Sequence, residues 1–327
     1  MDQEPINSIP GIQFNVLLKD YTTFRIGGRT KYFFIARTKD KLIEIIKSAR
    51  KNNLPFFILG GGSKLLMSDK NFNGLVIKIQ NSEFKIQDSQ IFTGAGILTK
   101  KLITIALDNS LTGLECLMGI PGTIGGAIRG NAGASGGSIT GFIGDVIKQV
   151  EVFDKNKEKI KVFENKECRF NYRTSVFKEN QNLVILSCVL QLKKGNKSEI
   201  EKTMNDYLEY RKKNQPLGFA SCGSIFKNYV LSKSEISNFN KKLIKEFPEL
   251  ENFIKEGTIP AGYLIDKCNL KRKIIGGAKV SEKHANFIVN FKNAKAKDVK
   301  ELIYLIKNKV KDKFKIELEE EVQYFNF

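Results

Sequence analysis

Residues 114–138 contain eight glycines, and this density is the strongest constraint on how the chain can fold. Glycine loses more backbone entropy on ordering than other residues, so such a run suits either a flexible linker or a backbone that approaches something closely. A linker would lack the apolar residues found between these glycines, which are Leu114, Leu117, Met118, Ile120, Pro121, Ile124, Ala127 and Ile128. We therefore predict an ordered backbone wall, with accessible N–H groups, for a large planar or phosphorylated ligand. Tight turns inside a structural core are the alternative.

Composition limits the class of protein. A chain of 327 residues is typical of two or three domains, and 41% hydrophobic residues are sufficient for buried cores. No apolar run reaches the ~18 residues of a membrane span, and the N-terminus lacks an export pattern, so we expect a cytoplasmic protein. Five scattered cysteines without Cys-x-x-Cys spacing, and a single histidine, argue against disulfides and against a bound metal.

The net charge of +19 has three interpretations. The lysines are dispersed among Asn and Ile rather than clustered, which is typical of a general compositional bias of the source. Anionic small ligands would also favour a basic surface. Nucleic acid is the third possible partner, although clusters of basic and aromatic residues are absent.

A second group of glycines follows an apolar strand predicted at 56–59. Gly60, Gly61 and Gly62 come directly after it, where backbone N–H groups can contact a phosphate. The P-loop pattern is absent. Residues 93–96 begin a strand-glycine-helix pattern, but Thr99 stands at the third glycine position and no acidic residue follows, so we reject a Rossmann domain.

Two polar residues stand in positions suited to chemistry. Arg173 lies between a tyrosine and a pair of hydroxyl residues and could present its guanidinium to a carboxylate or enolate. Ser224 follows a glycine, which leaves its hydroxyl accessible as a proton donor. A Ser-His-Asp hydrolase is disfavoured because Gly-x-Ser-x-Gly is absent. A surface salt bridge is the alternative role for Arg173.

Periodicity predicts several elements. The pattern over residues 183–192 predicts a strand, and that over residues 298–311 predicts the clearest amphipathic helix. Composition changes near 195–197, where Ser198 can begin a helix that Pro216 ends, so we place a domain boundary there. Alternation over 316–324 predicts a C-terminal strand, which would put three acidic residues on one face: Glu317, Glu319 and Glu321.

Eight segments that together span nearly the whole chain form one set: Thr23-Phe24-Arg25-Ile26-Gly27-Gly28, Leu59-Gly60-Gly61-Gly62-Ser63, Gly119-Ile120-Pro121-Gly122-Thr123-Ile124-Gly125-Gly126-Ala127, Asn131-Ala132-Gly133, Tyr172-Arg173-Thr174-Ser175, Gly223-Ser224-Ile225-Phe226-Lys227-Asn228, residues 281–287 and Leu318-Glu319-Glu320-Glu321-Val322. Taken in this order, they resemble the UDP-N-acetylenolpyruvoylglucosamine reductase (MurB) family, in its shorter type II form. Departures occur at Lys64, where the family usually has Asn, and at Arg129, Tyr229 and Glu320.

The resemblance implies an α+β fold with an FAD-binding domain of the vanillyl-alcohol/p-cresol oxidase type, made of two α+β subdomains, and a smaller α+β substrate-binding domain. On this basis residues 1–197 are expected to bind FAD, with subdomains of about 1–80 and 81–197. Residues 198–314 would bind substrate, and residues 315–327 would return to the first domain as a strand.

The resemblance also implies a reaction. It is that of a UDP-N-acetylmuramate dehydrogenase, in which non-covalent FAD and the co-substrate NADPH reduce UDP-N-acetylglucosamine enolpyruvate to UDP-N-acetylmuramate. The product is a peptidoglycan precursor, which links the chain to cell wall biogenesis, cell shape and cell division. We expect a monomer that binds neither a metal nor nucleic acid.

Matching positions imply the site residues. Arg173 and Glu321 would stabilise the enolate-like intermediate, and Ser224 would protonate it. Substrate would contact Lys212, Lys227, Asn228 and His284. The residues implied in FAD binding are Arg25, Gly60, Gly61, Gly62, Ser63, Lys64, Leu65, Pro121, Gly122, Thr123, Gly125, Gly126, Asn131, Ala132 and Gly133.

Two other functions stay open at this point. Another flavin oxidoreductase of the same fold could act on an alcohol or a sugar. A basic nucleic-acid-binding protein belongs to a different class, and it would show salt-sensitive binding to nucleic acid. Nucleic-acid binding would give no function to the glycine loops.

Overall fold

The computed structural model describes Ile6, residues 9–134 and residues 140–327. Gly136 and Gly137, the last glycines of the predicted wall, lie outside the described residues. The chain forms two compact units that each contain helices and strands. Unit 1 comprises the described residues of Met1–Leu17, Arg29–Gly62 and Asn71–Lys213, and unit 2 comprises Leu18–Gly28, Ser63–Lys70 and Asn214–Phe327.

Numbered along the chain, the strands are β1 (Gln13–Leu17), β2 (Arg29–Ala36), β3 (Phe56–Leu59), β4 (Leu65–Met67), β5 (Phe72–Ile79), β6 (Phe84–Gln87), β7 (Gln90–Gly94), β8 (Leu111–Thr112), β9 (Gly133–Ala134), β10 (Gly141–Phe142), β11 (Ile147–Asp154), β12 (Lys159–Glu164), β13 (Leu183–Gln191), β14 (Lys193–Lys194), β15 (Ala220–Ser224), β16 (Tyr229–Val230), β17 (Thr258–Ile259), β18 (Ile274–Ile275), β19 (Ala278–Val280), β20 (Phe287–Asn290) and β21 (Gln323–Phe325). The α-helices are α1 (Lys39–Lys51), α2 (Thr99–Asp108), α3 (Ile124–Arg129), α4 (Val176–Glu179), α5 (Lys197–Asn214), α6 (Lys233–Ser237), α7 (Lys241–Glu246), α8 (Leu250–Lys255), α9 (Ala261–Lys267) and α10 (Ala296–Phe314). Short 3-10 turns lie at Leu18–Tyr21, Glu115–Leu117, Ile143–Asp145 and Asn165–Cys168.

The first sheet of unit 1 has the order β1-β2-β5-β3. Strands β2, β5 and β3 are parallel, and β1 is an antiparallel edge strand. The central strand β5 is apolar through Leu75, Val76 and Ile77, which are completely buried, as expected where a parallel sheet is covered on both faces. The carboxyl ends of β3 and β5 meet at one edge of this sheet, where ligands bind in many open α/β sheets.

The second sheet of unit 1 is antiparallel, in the order β12-β11-β13-β7-β6. The hydrophobic cluster of this unit includes Ile200, Met204 and Tyr207 from α5. Because α5 packs on this cluster, the contact-defined boundary lies at 213/214, whereas the sequence predicts a boundary at 197/198. The assignment of FAD-binding and substrate-binding domains stays a prediction.

Unit 2 is built on an antiparallel sheet, β15-β20-β19-β18, and on the long helix α10. The helix buries the residues that its periodicity predicts: Val299, Leu302, Ile303, Ile306 and Val310. Strand β21 pairs in parallel with β4, so the C-terminus returns to a segment of the first 80 residues, although both strands belong to unit 2. None of the helices in the described chain combines the length and apolarity that crossing a membrane requires.

The C-terminal strand is shorter than predicted. It spans Gln323–Phe325, and the preceding acidic residues lie outside it. The N–H groups of Glu321 and Val322 both donate to the Ile225 carbonyl, at 2.7 and 3.3 Å, which interrupts the regular pairing of a strand. The prediction that Glu317, Glu319 and Glu321 share one strand face was therefore wrong.

Candidate functional site

Two glycine loops of unit 1 touch backbone to backbone. A Cβ atom added to Gly61 would lie 2.3 Å from Gly122 Cα, and one added to Gly60 would lie 2.9 Å from Thr123 Oγ1. Neither position can therefore carry a side chain without a shift of its neighbour. Because Gly60, Gly61 and Gly122 are only half-buried, the paired loops form a cradle of bare backbone that a flat or phosphorylated group can approach.

The cradle also contains a lysine, Lys78, that the sequence pattern did not predict as part of the site. Lys78 lies near the carboxyl end of β5, beside Leu59, and its Nζ donates a hydrogen bond to the Gly60 carbonyl oxygen. Burial lowers the pKa of Lys78 below its usual value. A lone charge at the end of the apolar run Leu75–Ile79 is the sequence pattern that could have identified it. The ammonium and the cradle together fit a diphosphate.

The segment after α3 is held rigidly. Asn131 has a left-handed backbone, its Oδ1 accepts from the Gly144 N–H at 3.0 Å, and its Nδ2 donates to the Asn171 carbonyl oxygen at 3.0 Å. The Asn131 amide therefore supports the neighbouring loops. Gly133 lies so close to β10 that an added Cβ would be 2.1 Å from the Gly141 carbonyl oxygen.

Arg173 stands at the tip of a tight turn. The turn is closed by reciprocal backbone hydrogen bonds between Asn171 and Thr174, at 3.1 and 3.2 Å, and Arg173 has φ of +55°. Non-glycine residues held in this region often serve a function. The Arg173 guanidinium donates to the Gly133 carbonyl oxygen at 3.2 Å and lies 5.4 Å from the centroid of the Tyr172 ring. This backbone conformation directs the Arg173 guanidinium toward the glycine-rich segment at Gly133.

A second arginine lies near Arg173 in unit 1. Arg211, on α5, donates through Nε to the Met118 carbonyl oxygen at 2.7 Å. Burial, with a smaller contribution from Arg173, lowers the pKa of Arg211. An added Cβ on Gly119 would lie 2.8 Å from Arg211 Cδ, so the wall leaves room for this side chain. Helical spacing alone presented Arg211 as part of a helix face, which is why the sequence did not single it out.

Ser224 in unit 2 ends the short strand β15. Its pairing with β20 shifts register between Ser221 and Ser224, and Gly223 in this bulge has φ of +77°. Bulges re-aim the side chain that follows, and only glycine adopts this conformation without strain. The bulge therefore explains why a glycine precedes the serine.

The Lys64 side chain joins Ser224 to Glu321. Its Nζ donates to the Ser224 carbonyl oxygen at 2.8 Å and lies 3.0 Å from Glu321 Oε1. The structure therefore brings together two of the three predicted catalytic residues, through a lysine that was predicted to bind FAD. The third, Arg173, belongs to unit 1, and its convergence with Ser224 and Glu321 stays a prediction.

His284 lies in the turn before β20, the strand in which Phe287 pairs with Ser224. Its Nδ1 accepts from the Asn286 N–H at 3.2 Å, so the neutral ring carries its proton on Nε2, which remains a donor. Burial, with a smaller contribution from Lys271, lowers the pKa of His284. The residue is therefore a neutral donor rather than a cation.

The remaining predicted substrate residues occupy both units. In unit 2, Lys227 pairs with Glu319, and Asn228 Oδ1 accepts from the Ala261 N–H at 3.3 Å. In unit 1, Lys212 is exposed and pairs with Glu209, one turn earlier on α5.

The predicted cofactor residues divide in the same way. Unit 1 contains Gly60, Gly61, Gly62, Pro121, Gly122, Thr123, Gly125, Gly126, Asn131, Ala132 and Gly133, and unit 2 contains Arg25, Ser63, Lys64 and Leu65. Arg25 is exposed and has φ of +55°, and the Ser63 carbonyl oxygen accepts from Thr23 Oγ1 at 3.5 Å.

Comparison with known proteins gives consistent matches. Residues 215–325 match the family model of the UDP-N-acetylenolpyruvoylglucosamine reductase C-terminal domain, and residues 30–162 match that of an FAD binding domain. The reductase of Caldanaerobacter subterraneus subsp. tengcongensis is 37% identical over 313 residues, which are 95% of this chain and 93% of that protein. The reductase of Alkaliphilus oremlandii is 39% identical over 308 residues, which are 94% and 90% of the two chains.

A solved structure agrees along nearly the whole chain. The crystal structure of the reductase from Thermus caldophilus superposes with a TM-score of 0.74 and 32% sequence identity, covering 96% of this chain and 99% of that one. Together with the match to an FAD binding domain and the mixed α+β architecture, this confirms the predicted fold class.

Proposed function

The chain belongs to the UDP-N-acetylenolpyruvoylglucosamine reductase family, and we propose from this membership that it reduces UDP-N-acetylglucosamine enolpyruvate to UDP-N-acetylmuramate. NADPH is the reductant and FAD the cofactor. The observation that carries the proposal is likeness to named reductases over nearly the entire length of both chains. The reaction supplies a peptidoglycan precursor, and through it cell wall biogenesis, cell shape and cell division.

The glycine cradle supports the choice of cofactor. Gly60, Gly61 and Gly122 present backbone without side chains, and Lys78 supplies a cation at the same place. These are the groups that a diphosphate requires, because N–H donors and an ammonium both bind phosphate oxygens. When bound, FAD would supply hydride transfer between NADPH and C3 of the enolpyruvyl group, and Gly60, Gly61, Gly122 and Lys78 would hold its diphosphate.

The chain's own residues complete the reduction. Arg173 stabilises the negative charge that develops on the substrate carboxylate, where a preorganised cation has its largest effect, and Glu321 in its protonated form donates a hydrogen bond to the same group. Ser224 donates its hydroxyl proton to C2. A glycine-led bulge fixes the Ser224 backbone, which supports this role.

The same family assignment supports a proposal for substrate binding. Lys212, Lys227 and Asn228 contact the UDP diphosphate, and His284 contacts the substrate near its carboxylate through the proton on Nε2. We also propose that residues 1–197 form the FAD-binding domain and residues 198–314 the substrate-binding domain. The protein acts as a monomer in the cytoplasm.

The two half-reactions test this function. The purified protein is expected to be yellow, to bleach on anaerobic addition of NADPH, and to recover its colour when the UDP-enolpyruvyl sugar is added. Ser224→Ala is expected to bleach at the normal rate and to recover about 100-fold or more slowly, because only the second step needs its proton. Equal loss of both steps in Ser224→Ala would contradict the role of Ser224. Failure of the unmodified protein to bleach, or oxygen consumption with an alcohol or sugar, would contradict the function.

A further inference from the structure

Three segments that are distant in sequence meet around the Lys64 ammonium in unit 2. Lys64 directly precedes β4, Ser224 ends β15, and Glu321 lies just before β21. The Lys64 Nζ is 2.8 Å from the Ser224 carbonyl oxygen and 3.0 Å from Glu321 Oε1. The Glu321 side chain is 11% exposed and the Lys64 side chain 35% exposed, so the pair is shielded mainly on the carboxylate side.

The backbone fixes both ends of this ion pair. The Lys64 carbonyl oxygen accepts from the Gln323 N–H at 2.9 Å, and the Glu321 N–H donates to the Ile225 carbonyl oxygen at 2.7 Å. Parallel pairing of β4 with β21 places Leu65 opposite Gln323, so the residues that precede the two strands lie side by side. The contact between Lys64 and Glu321 is thus a consequence of strand register.

We infer that Lys64 is a positioning residue of the proposed reductase site, whose ammonium holds the Glu321 carboxylate and the Ser224 backbone in one arrangement. The inference rests on the proposed function, because that function assigns chemistry to Ser224 and Glu321. It gives Lys64 a role in the reduction of substrate, in place of the FAD contact that the sequence predicts.

The chemistry explains why this position matters. The Lys64 ammonium lies 3.0 Å from Glu321 Oε1 and 2.8 Å from the Ser224 carbonyl oxygen. Loss of the ammonium removes both contacts and leaves the Glu321 side chain and the Ser224 backbone freer to move. A proton donor misplaced by even about 1 Å reacts much more slowly. Reduction of the flavin by NADPH needs neither group.

Three substitutions separate the charge of Lys64 from its capacity to donate hydrogen bonds. Lys64→Arg keeps a positive charge and hydrogen-bond donors. Lys64→Asn keeps a donor but removes the charge. Lys64→Met removes both. Lys307→Met is a matched control, because Lys307 pairs with Glu320, the neighbour of Glu321, at 2.8 Å and with a similar side-chain exposure of 41%.

The experiment follows each half-reaction of the FAD-loaded variants by anaerobic stopped-flow absorbance. In Lys64→Met we expect the enolpyruvyl sugar to reoxidise the flavin about 10- to 100-fold more slowly, while NADPH reduces it within about twofold of the normal rate. Lys64→Arg and Lys307→Met are expected to keep both rates within about twofold of those of the unmodified protein, and Lys64→Asn to slow reoxidation alone.

Several results would overturn the inference. These are normal reoxidation in Lys64→Met, equal slowing of both half-reactions, or an equal effect of Lys307→Met. If Lys64→Met does not fold, the reoxidation rates of Lys64→Asn and Lys64→Arg decide the question in its place: slowing in Lys64→Asn with a normal rate in Lys64→Arg supports the inference, and equal rates contradict it. An unmodified protein that neither bleaches nor recovers would overturn the proposed function itself, whereas an unmodified protein that turns over with unaffected Lys64 variants would overturn only the role of Lys64.

Discussion

At the scale of single residues, the most informative groups are charges that stand where the fold would accept an apolar residue. Lys78 follows three fully buried apolar residues in β5, and its amine reaches the Gly60 carbonyl oxygen at the glycine cradle. Holding an ammonium in a poorly hydrated position is unfavourable unless an anion compensates it. The position of Lys78 is therefore better explained by ligand binding than by stability.

Lys78→Met is expected to weaken FAD binding by about 10- to 100-fold, the usual range for loss of a charge-assisted hydrogen bond. Riboflavin, which has no phosphate, should bind equally well to both forms. Titration of the apoprotein by quenching of flavin fluorescence measures both affinities. Lys31→Met, which removes an exposed lysine from β2 of the same sheet, is the control.

The pH dependence gives a second test of Lys78. Burial lowers the pKa of the free ammonium below its usual 10.5, and a bound diphosphate would favour its charged form again. FAD binding should therefore take up a proton, and the affinity should fall as pH rises through the lowered pKa. This slope should disappear in Lys78→Met. Equal FAD affinities in the two proteins, or an equal loss of riboflavin affinity, would contradict the role.

At the scale of elements, the hairpin of β11 and β12 shows how a turn is fixed by one carboxylate. Asp154 Oδ1 accepts from the N–H groups of Asn156 and Lys157 at 3.0 and 3.2 Å, and Oδ2 accepts from Lys161 Nζ at 2.7 Å. The bond from Lys161 is the main reason that the pKa of Asp154 is lowered, and the two turn N–H groups add to it. The ionised form of Asp154 therefore stabilises the folded hairpin.

Asp154→Asn is expected to lower the free energy of unfolding by about 1 kcal/mol at neutral pH, because a charge-assisted bond is lost. Since the folded pKa is depressed, this stability is present above the unfolded value of about 3.9 and is lost as pH falls through the folded pKa. Urea unfolding of both proteins at several pH values measures the difference, which should shrink below the unfolded value. Glu158→Gln, in the same turn, alters only a surface pair with Arg50 at 3.8 Å and should change stability by less than about 0.5 kcal/mol. A difference that stays constant with pH would contradict this account.

Elements with strong periodicity could be predicted from the sequence. Helix α10 contains the predicted 298–311, and β13 ends one residue before the predicted 192, since each buries a continuous apolar face. The strand β15 was missed because the run Ala220–Ser224 has no alternation and its bulge is set by pairing with β20. The C-terminal strand was predicted too long because hydrogen bonds to Ile225, which is distant in sequence, end its regular pairing.

Residues of the candidate site were likewise predictable only where a local sequence pattern marks them. The glycine loops could be found because each is a local run, and Ser224 because a glycine precedes it. The contact of Lys64 with Glu321 could not, since it depends on the register of two strands from opposite ends of the chain. Arg211 was hidden because its contact with Met118 joins α5 to a distant loop. Residues that act through long-range contacts leave no local pattern.

At the scale of the whole molecule, five free cysteines are distributed over both units and report on how each unit opens. Cys116, Cys168 and Cys188 lie in unit 1, and Cys222 and Cys268 in unit 2. Burial raises the pKa of the first four thiols in the chain to about 12, and that of Cys268 to a smaller extent. Only the thiolate is nucleophilic, so burial suppresses both access and reactivity.

Alkylation of the native protein at pH 8 is expected to modify Cys268 first, because it is the most exposed of the five. The other four should react only when their unit opens, since at pH 8 a thiol of pKa about 12 is roughly a thousandfold less ionised than a free one. Peptide mass spectrometry over time assigns each rate, and Cys268→Ser should remove the first phase. Cys222 lies two residues from Ser224, so FAD and the enolpyruvyl sugar should slow the modification of Cys222 if they stabilise unit 2. The modification rates of the cysteines in unit 1 report separately on the stabilisation of unit 1 by FAD. Rapid modification of Cys188 or Cys222 in the native protein would contradict their burial, and identical rates for all buried thiols would mean that the two units open as one.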